Sequence, residues 1–326
     1  MRRPELDGIR ALAIAAVVVF HYDYPRLTGG FLGVTVFFVL SGYLITGQLI
    51  AEQEHTDRIW LRGFYQRRLA RLYPALLLTL IVVIIGSRFV HVDSDRVVAE
   101  WVVGAALYLT DWAAATQRFG GWLGHTWSLS VEEQFYVVWP FVVRRLGPEG
   151  LRRWLPSLIV LAMAAKALVF ATTTYAWAYF TPLGALDALA IGALLAVRSC
   201  RVPAWLGWIA LAGIIGAMLY VRTVTAPETF YGGEQGVAML TGLLIVALDR
   251  QSELSRAFGW APLAWIGERS YGIYLLHYPV LRIVETKWSA SHTAVMVLSL
   301  AITLVAAALS FRFVESPLRA RLRPAH

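Results

Sequence analysis

The chain has 326 residues, of which 58% are hydrophobic and only 15% charged, against roughly a quarter charged in an ordinary soluble domain, so a soluble globule is excluded. A formal charge of +8 invites a nucleic-acid reading, but a membrane protein concentrates positive charge in its cytoplasmic loops, and the arginines follow that pattern; no nucleic-acid partner is expected. The single cysteine, Cys200, excludes a disulfide framework and a cysteine-based metal site, and no metal is expected.

Apolar runs such as Ala75 to Gly86, Ser157 to Val169 and His292 to Phe311 approach the roughly 20 residues that cross a bilayer core. The first run, Ile9 to Phe20, follows Met1, Arg2 and Arg3 and so imitates a secretory signal. Asp7 and Arg10 intrude, His21 follows, and no small-residue cleavage site precedes Tyr22 to Pro25, so the helix is expected to be retained. Arg10 and His21 are about three helical turns apart, on one face and roughly 16 Å from each other along the axis. A cation near one end and an imidazole deep in the span suggest a polar tunnel. The plainer alternative is a snorkelling arginine with a buried, hydrogen-bonded histidine. His21 suits acid/base work because an imidazole titrates near neutrality.

The second expected span, Phe31–Ile50, contains Phe37-Phe38-Val39-Leu40-Ser41-Gly42-Tyr43, whose small Ser-Gly pair reads as a site of close helix packing. A basic loop with Arg58, Arg62, Arg67, Arg68 and Arg71 leads into the third span, Leu69–Phe89. Arg68 and Arg71 are neighbours on a helix, a guanidinium pair suited to bidentate phosphate contacts; ordinary positive-inside charge is the alternative. Next comes a short apolar run, Val97 to Leu109, interrupted by Glu100 and Gly104. The fourth span, Val131–Val143, opens on Trp127-Ser128-Leu129-Ser130-Val131-Glu132-Glu133-Gln134-Phe135-Tyr136. Ser128, Glu132 and Tyr136 recur every four residues and share a helical face. A capping role for Ser128 or Ser130, with the acids complementing the helix dipole, is the structural alternative, and it leaves Trp127, Gln134 and Tyr136 unexplained.

Further spans are expected at Pro156–Tyr175, Thr181–Val197, Trp205–Val221, Gly236–Leu248, Ala264–Val284 and Thr293–Phe313. Asp187 is a lone intramembrane acid that either pairs with an arginine or lines a cavity. Gly267 to Pro279 carries Tyr271, Tyr274 and His277 at helical spacing. If Val97 to Leu109 does not span, then Arg2/Arg3, the Arg58–Arg71 loop, Arg144 to Arg153, Arg198/Arg201, Arg250/Arg256 and the tail from Arg319 all fall on one side. The sequence therefore predicts an all-α, polytopic fold of about ten transmembrane helices, with a re-entrant or interfacial helix near 97–109 and both termini cytoplasmic. One domain is expected over residues 1–326, with no soluble C-terminal domain, in the plasma (inner) membrane. No Gly-x-Ser-x-Gly elbow, phosphate-binding P-loop or His-Glu-x-x-His pair is present, which leaves serine hydrolase, nucleotide-hydrolysing and zinc-protease chemistry without support.

Leu6-Asp7-Gly8-Ile9-Arg10-Ala11-Leu12-Ala13 with His21 resembles the opening signature of the acyltransferase-3 family, membrane enzymes that acylate sugar or other hydroxyl groups from acyl-CoA. The resemblance continues in order through Phe37 to Tyr43, Tyr65 to Pro74, Trp127 to Tyr136, Gly267 to Pro279 and Phe313-Val314-Glu315-Ser316-Pro317-Leu318-Arg319. It implies that Arg10 and His21 are essential and that Arg68 and Arg71 hold the coenzyme A phosphates. It places the acid of the Trp-Ser-Leu block at Glu132, and Ser270, Tyr274 and His277 in a block of less defined role. Many relatives have an arginine just before the acid of the sixth span, where this chain has Ala185 before Asp187.

The expected activity is transfer of an acyl group, most simply acetyl, from acyl-CoA to a hydroxyl of a carbohydrate or other small-molecule acceptor at the bilayer. His21 serves as base or as transient acyl carrier, with Arg10 along the donor's route and Glu132 orienting the ring. Trp127, Tyr136, Tyr274 and His277 line the acceptor side. Acylation of a macrolide-type metabolite is an alternative within the same chemistry. A transporter or flippase is the alternative of another class, and it predicts paired half-sequences with matching broken helices, which are not seen.

Overall fold

A computed structural model describes residues 3–22, 27–91, 93–117, 121–198, 200–248 and 252–321, the last without the side chains of Arg319 and Arg321. Arg2, Arg250 and Arg323, which support the predicted sidedness, lie outside the described residues, as do residues 23–25 of the signal-peptide argument and Ser199.

Among the described residues every regular element is helical. In chain order these are α1 (Pro4–Tyr22), α2 (Gly33–Thr56), α3 (Leu61–Phe89), α4 (Asp95–Ala106), α5 (Thr110–Ala115), α6 (Trp127–Thr172), α7 (Tyr175–Phe180), α8 (Pro182–Val197), α9 (Ala204–Tyr220), α10 (Glu234–Ala247), α11 (Glu253–Phe258), α12 (Ala261–Glu268), α13 (Ser270–Lys287), α14 (His292–Ser310) and α15 (Ser316–Arg321).

Among the described residues, six helical stretches are long and apolar enough to cross a membrane: Gly30–Thr56, Leu61–Phe89, Gly124–Thr172, Tyr175–Val197, Thr229–Ala247 and His292–Leu318. The protein is thus a multi-pass membrane protein. Its large aliphatic side chains stand exposed in helical stripes, Leu77, Ile81 and Ile85 on α3 and Val297, Val305 and Leu309 on α14, as lipid-facing surfaces require. These stretches take up seven of the ten expected spans, because Gly124–Thr172 covers both Val131–Val143 and Pro156–Tyr175. Gly147, at φ 62° and ψ −179°, breaks α6 between the two, a conformation open essentially to glycine alone, and Pro148 restarts the helix where a missing N–H costs nothing.

The other three expected spans differ for separate reasons. In α1, Glu5, Asp7 and Arg10 dilute the apolar run, and α9 is apolar but shorter. The expected span Ala264–Val284 is not one helix. It stops at Glu268 and restarts at Ser270, with Arg269 between them at φ −99° and ψ 2° and its guanidinium 4.4 Å over the Phe311 ring. Apolar residues on both sides of Gly267-Glu268-Arg269 concealed this break. α4 is 12 residues long, about 18 Å of helix against the roughly 30 Å of a hydrocarbon core. Its length suits the surface-lying or re-entrant helix expected at 97–109, with its start set by the Ser94 side chain accepting from the Val97 N–H and its end followed by Tyr108 at φ 55°.

The chain divides into two compact units, Met1–Ile59 with Val131–Glu268, and Trp60–Ser130 with Arg269–His326. In the first, α8 lies along α2, α10 packs on both α8 and α9, and α1 packs on α2 and α12. The α2–α8 contact depends on two glycines: a Cβ at Gly42 would land on the Leu189 carbonyl, and one at Gly192 on the Val39 carbonyl. In the second unit α13 packs on α3 and α14, and α4 on α3. Tyrosine hydroxyls fasten these helices, Tyr271 donating to the Leu72 carbonyl at 3.2 Å and Tyr73 to the Ala106 carbonyl at 2.8 Å.

Candidate active site

Within the first unit, α1 presents its expected polar face inward. Ile14 and Val17, which lie between Arg10 and His21 on that face, are 1% and 0% exposed, whereas Leu12 and Val19 are each 38% exposed. The His21 ring therefore shares the packed side of the helix, edge-on to Phe20 at 5.2 Å. Its Nδ1 lies 2.9 Å from the Val17 carbonyl one turn back. A carbonyl only accepts, so Nδ1 carries the proton and the neutral ring's lone pair is on Nε2. Arg10 Nη1 sits 3.1 Å from Asp7 Oδ1, with both side chains largely enclosed.

The glutamate of the Trp-Ser-Leu block belongs to the same unit. Glu132 Oε1 accepts the Ser41 hydroxyl at 2.6 Å, and one helical stretch further along α6, Trp139 Nε1 donates to Thr46 Oγ1 at 2.8 Å. The Ser41-Gly42 pair of α2 thus has two distinct tasks, the glycine admitting α8 and the serine engaging Glu132. Tyr136 is buried and packs against Phe135.

In the second unit the start of α6 is tied to α13. The Tyr274 hydroxyl donates to the His125 carbonyl at 2.5 Å, so the Ser128 hydroxyl, 2.7 Å away, is the donor to Tyr274. Ser130 accepts the Thr110 N–H at 3.1 Å. Both serines lie inside α6 and spend their hydroxyls on other segments, so neither acts as the cap that the structural alternative required. Trp127 is buried at the first residue of the helix. His277 is fully buried, with Nδ1 2.6 Å from the Tyr274 carbonyl, and its ring lies 5.1 Å from that of His125. Arg68 and Arg71 are half-buried near the start of α3, one turn apart.

The profile of a family described as an acyltransferase domain matches residues 3–313, a span that contains every block quoted from the sequence except the last, of which it reaches only Phe313. The chain belongs to the acyltransferase-3 family. It is 32% identical over 345 residues to the peptidoglycan O-acetyltransferase OatA of Listeria monocytogenes, covering 97% of this chain and 56% of that protein. It is 31% identical over 343 residues to the O-acetyltransferase OatA of Staphylococcus aureus, covering 97% and 57%. The chain thus spans little more than half the length of these relatives. No solved structure matches it.

Set against this acyltransferase-3 framework, two features escaped the sequence reading. His125, two residues before the Trp-Ser-Leu block, joins Tyr274, His277 and Tyr278 in a group of packed rings. Its position just ahead of the motif was the available signal. Among the described residues Asp187 pairs not with an arginine but with Lys166, 3.7 Å away and also in contact with Glu234. Lys166 was visible as a lone cation in the run Leu161 to Val169, the pattern that marks an intramembrane site.

Proposed function

We propose that this protein transfers an acetyl group from acetyl-CoA to a hydroxyl of a cell-envelope carbohydrate, a peptidoglycan-type glycan being the acceptor that the Listeria relative's name suggests. The observation that carries this reading is the His21 ring, held by its own helix with Nε2 as the basic nitrogen on the packed face that also bears Arg10. His21 accepts the acceptor's hydroxyl proton as the alkoxide attacks the thioester carbonyl. The carbon–sulfur bond breaks, the ester forms, and the proton passes to the departing coenzyme A thiolate. Glu132, fixed by Ser41, stabilises the imidazolium that forms. Arg68 and Arg71 hold the coenzyme A phosphates in the bidentate manner of guanidiniums. Trp127, Tyr136, Tyr274 and His277 are assigned to the acceptor, Tyr274 through its ring because its hydroxyl is engaged elsewhere. In this reading the chain crosses the inner membrane ten times, with Arg3 and the residues after Glu315 on the cytoplasmic side.

The test uses the full chain in nanodiscs with labelled acetyl-CoA and a soluble glycan, following thiol release and labelled ester together. Wild type is expected to produce both and His21→Ala neither. Undiminished activity of His21→Ala in both assays overturns the reading.

A further inference from the structure

Before its break at Gly147, α6 carries an outward apolar stripe that ends in charge. Val137, Val138 and Phe141 are each more than half exposed. Arg144 and Arg145 follow Phe141 by three and four residues, which sets them on the same helical face. A groove of about 830 Å³ runs along this face, lined by the three apolar side chains and by both arginines, with Val142 and Leu146 completing its wall. From Val137 to Arg145 the helix rises about 12 Å, most of the roughly 15 Å of hydrocarbon in one leaflet. The apolar part of the groove therefore matches the upper part of a lipid chain, and its charged end matches the level of a headgroup phosphate.

The end of this stripe differs from the ends of comparable ones. On α3 the stripe of Leu77, Ile81 and Ile85 also runs to an arginine, but Arg88 Nη1 engages Asp95 Oδ2 at 3.0 Å. The stripe of α14 leads to Arg312, whose guanidinium lies 5.4 Å over the Phe313 ring. On α6 itself, Glu149 is taken by Arg152 at 2.5 Å, and Arg153 lies 5.6 Å over the Trp154 ring. Arg144 and Arg145, both exposed, make no ion pair or side-chain hydrogen bond among the described residues. Helical side chains lean towards the helix N-terminus, so the arginine stems extend the apolar wall while their guanidiniums stand at its rim. Two adjacent guanidiniums suit the oxygens of a phosphate, and they favour a lipid of net negative charge over a zwitterion, whose own cation they repel.

We propose that this groove binds one anionic phospholipid, its phosphate on Arg144 and Arg145 and an acyl chain along Phe141, Val138 and Val137. None of these residues has a part in the proposed acyl transfer.

For the test, the full chain is released for native mass spectrometry from nanodiscs of equal parts phosphatidylglycerol and phosphatidylcholine. Its melting is followed in phosphatidylcholine nanodiscs with and without phosphatidylglycerol. Wild type is expected to retain one phosphatidylglycerol in preference to phosphatidylcholine, and to melt higher when that lipid is present. Arg144→Gln/Arg145→Gln should lower the preference roughly 25-fold, about fivefold for each arginine, and abolish the rise in melting while matching wild type in phosphatidylcholine alone. Phe141→Ala should weaken retention of the lipid and leave the preference for its charge. Arg198→Gln/Arg201→Gln, which removes two exposed arginines of the turn between α8 and α9, should change neither. A loss in that control equal to the loss in Arg144→Gln/Arg145→Gln would reduce the effect to general surface charge and overturn the proposal. Wild type retaining the two lipids equally, or release of phosphatidylglycerol by inorganic phosphate or by acetyl-CoA, overturns it as well. Retention and melting are read without acyl transfer, so the site stands or falls apart from the proposed activity.

Discussion

The Ser41 hydroxyl and the Glu132 carboxylate face each other at 2.6 Å, joining the small-residue block of α2 to the acidic block of α6. A hydrogen bond to a charged acceptor contributes about 1.5–3 kcal/mol, so the serine fixes the position of the carboxylate. Removing it therefore perturbs Glu132 without deleting it.

Ser41→Ala is expected to lower kcat about tenfold, the kinetic equivalent of about 1.4 kcal/mol, with Ser41→Thr retaining most activity. Glu132→Gln should cost more than Ser41→Ala, because it removes the charge as well. Trp139→Phe, which deletes the neighbouring bond to Thr46, serves as the control for helix docking alone and should leave kcat within about threefold of wild type. Equal losses in Ser41→Ala and Trp139→Phe would reduce the Ser41–Glu132 contact to packing.

His21→Gln keeps a polar side chain but supplies no base, and activity is expected to fall by roughly a hundredfold to ten-thousandfold. The protonated ring atom can be read directly. Nitrogen-15 spectra of histidine-labelled protein, differenced against His21→Gln, should show His21 with its proton on Nδ1, as its 2.9 Å contact with the Val17 carbonyl requires. A signal from the other tautomer contradicts that assignment.

How far this arrangement was legible in the sequence depended on whether a residue's task is local. The inward face of α1 follows from helical period, so Arg10 and His21 were placed on one side correctly by counting. The break at Gly147-Pro148 lay in the gap left between two expected spans, although its location within the arginine-rich segment did not. Partners across helices were another matter. Asp187 was visible as an intramembrane acid, but the choice of Lys166 as its counterpart is made by α6 and α8 packing, which no spacing within either helix encodes. The Arg269 break was hidden for the same reason: apolar residues flank it, and it is positioned by the ring of Phe311.

Replacing Arg68 or Arg71 should raise KM for acetyl-CoA with little change in kcat, since phosphate anchoring acts on ground and transition states alike. The loss is expected to be tenfold or more for each alanine, and only partly restored by lysine, which cannot form the planar two-point contact. Acetyl-pantetheine, which lacks the adenosine phosphates, should discriminate poorly between wild type and these variants. A KM for acetyl-CoA unchanged in both alanine variants assigns the pair to ordinary positive-inside charge.

Tyr274→Phe removes a hydroxyl that both donates to the His125 carbonyl and accepts from Ser128. Two enclosed polar groups lose their partner, at a cost of about 1–3 kcal/mol each, so a lower melting temperature is expected. Ser128→Ala deletes only one donor and should cost less. Because the hydroxyl is turned to the protein's own backbone, Tyr274→Phe should leave KM for the acceptor near wild type, while Tyr274→Leu, which removes the ring, should raise it. An acceptor KM that rises several-fold in Tyr274→Phe would place the hydroxyl on the substrate instead.

Two glycines separate backbone strain from crowding. Gly147 has φ 62° and ψ −179° with nothing within 4 Å of a Cβ placed there, while a Cβ at Gly42 would strike the Leu189 carbonyl. Gly147→Ala therefore tests conformation alone, and a loss of about 1–3 kcal/mol is expected from the disfavoured backbone geometry. Gly42→Ala tests contact alone. Because the atom it meets is backbone, relief requires α2 and α8 to separate, and that interface cannot give way locally as a flexible side chain would. Gly42→Ala should accordingly melt well below Gly147→Ala, and Gly42→Leu should fail to assemble, as measured by monodispersity on gel filtration and thermal melting in nanodiscs. Gly147→Ala as damaging as Gly42→Ala would mean that the α6 break carries a fixed bend on which the rest of the first unit depends.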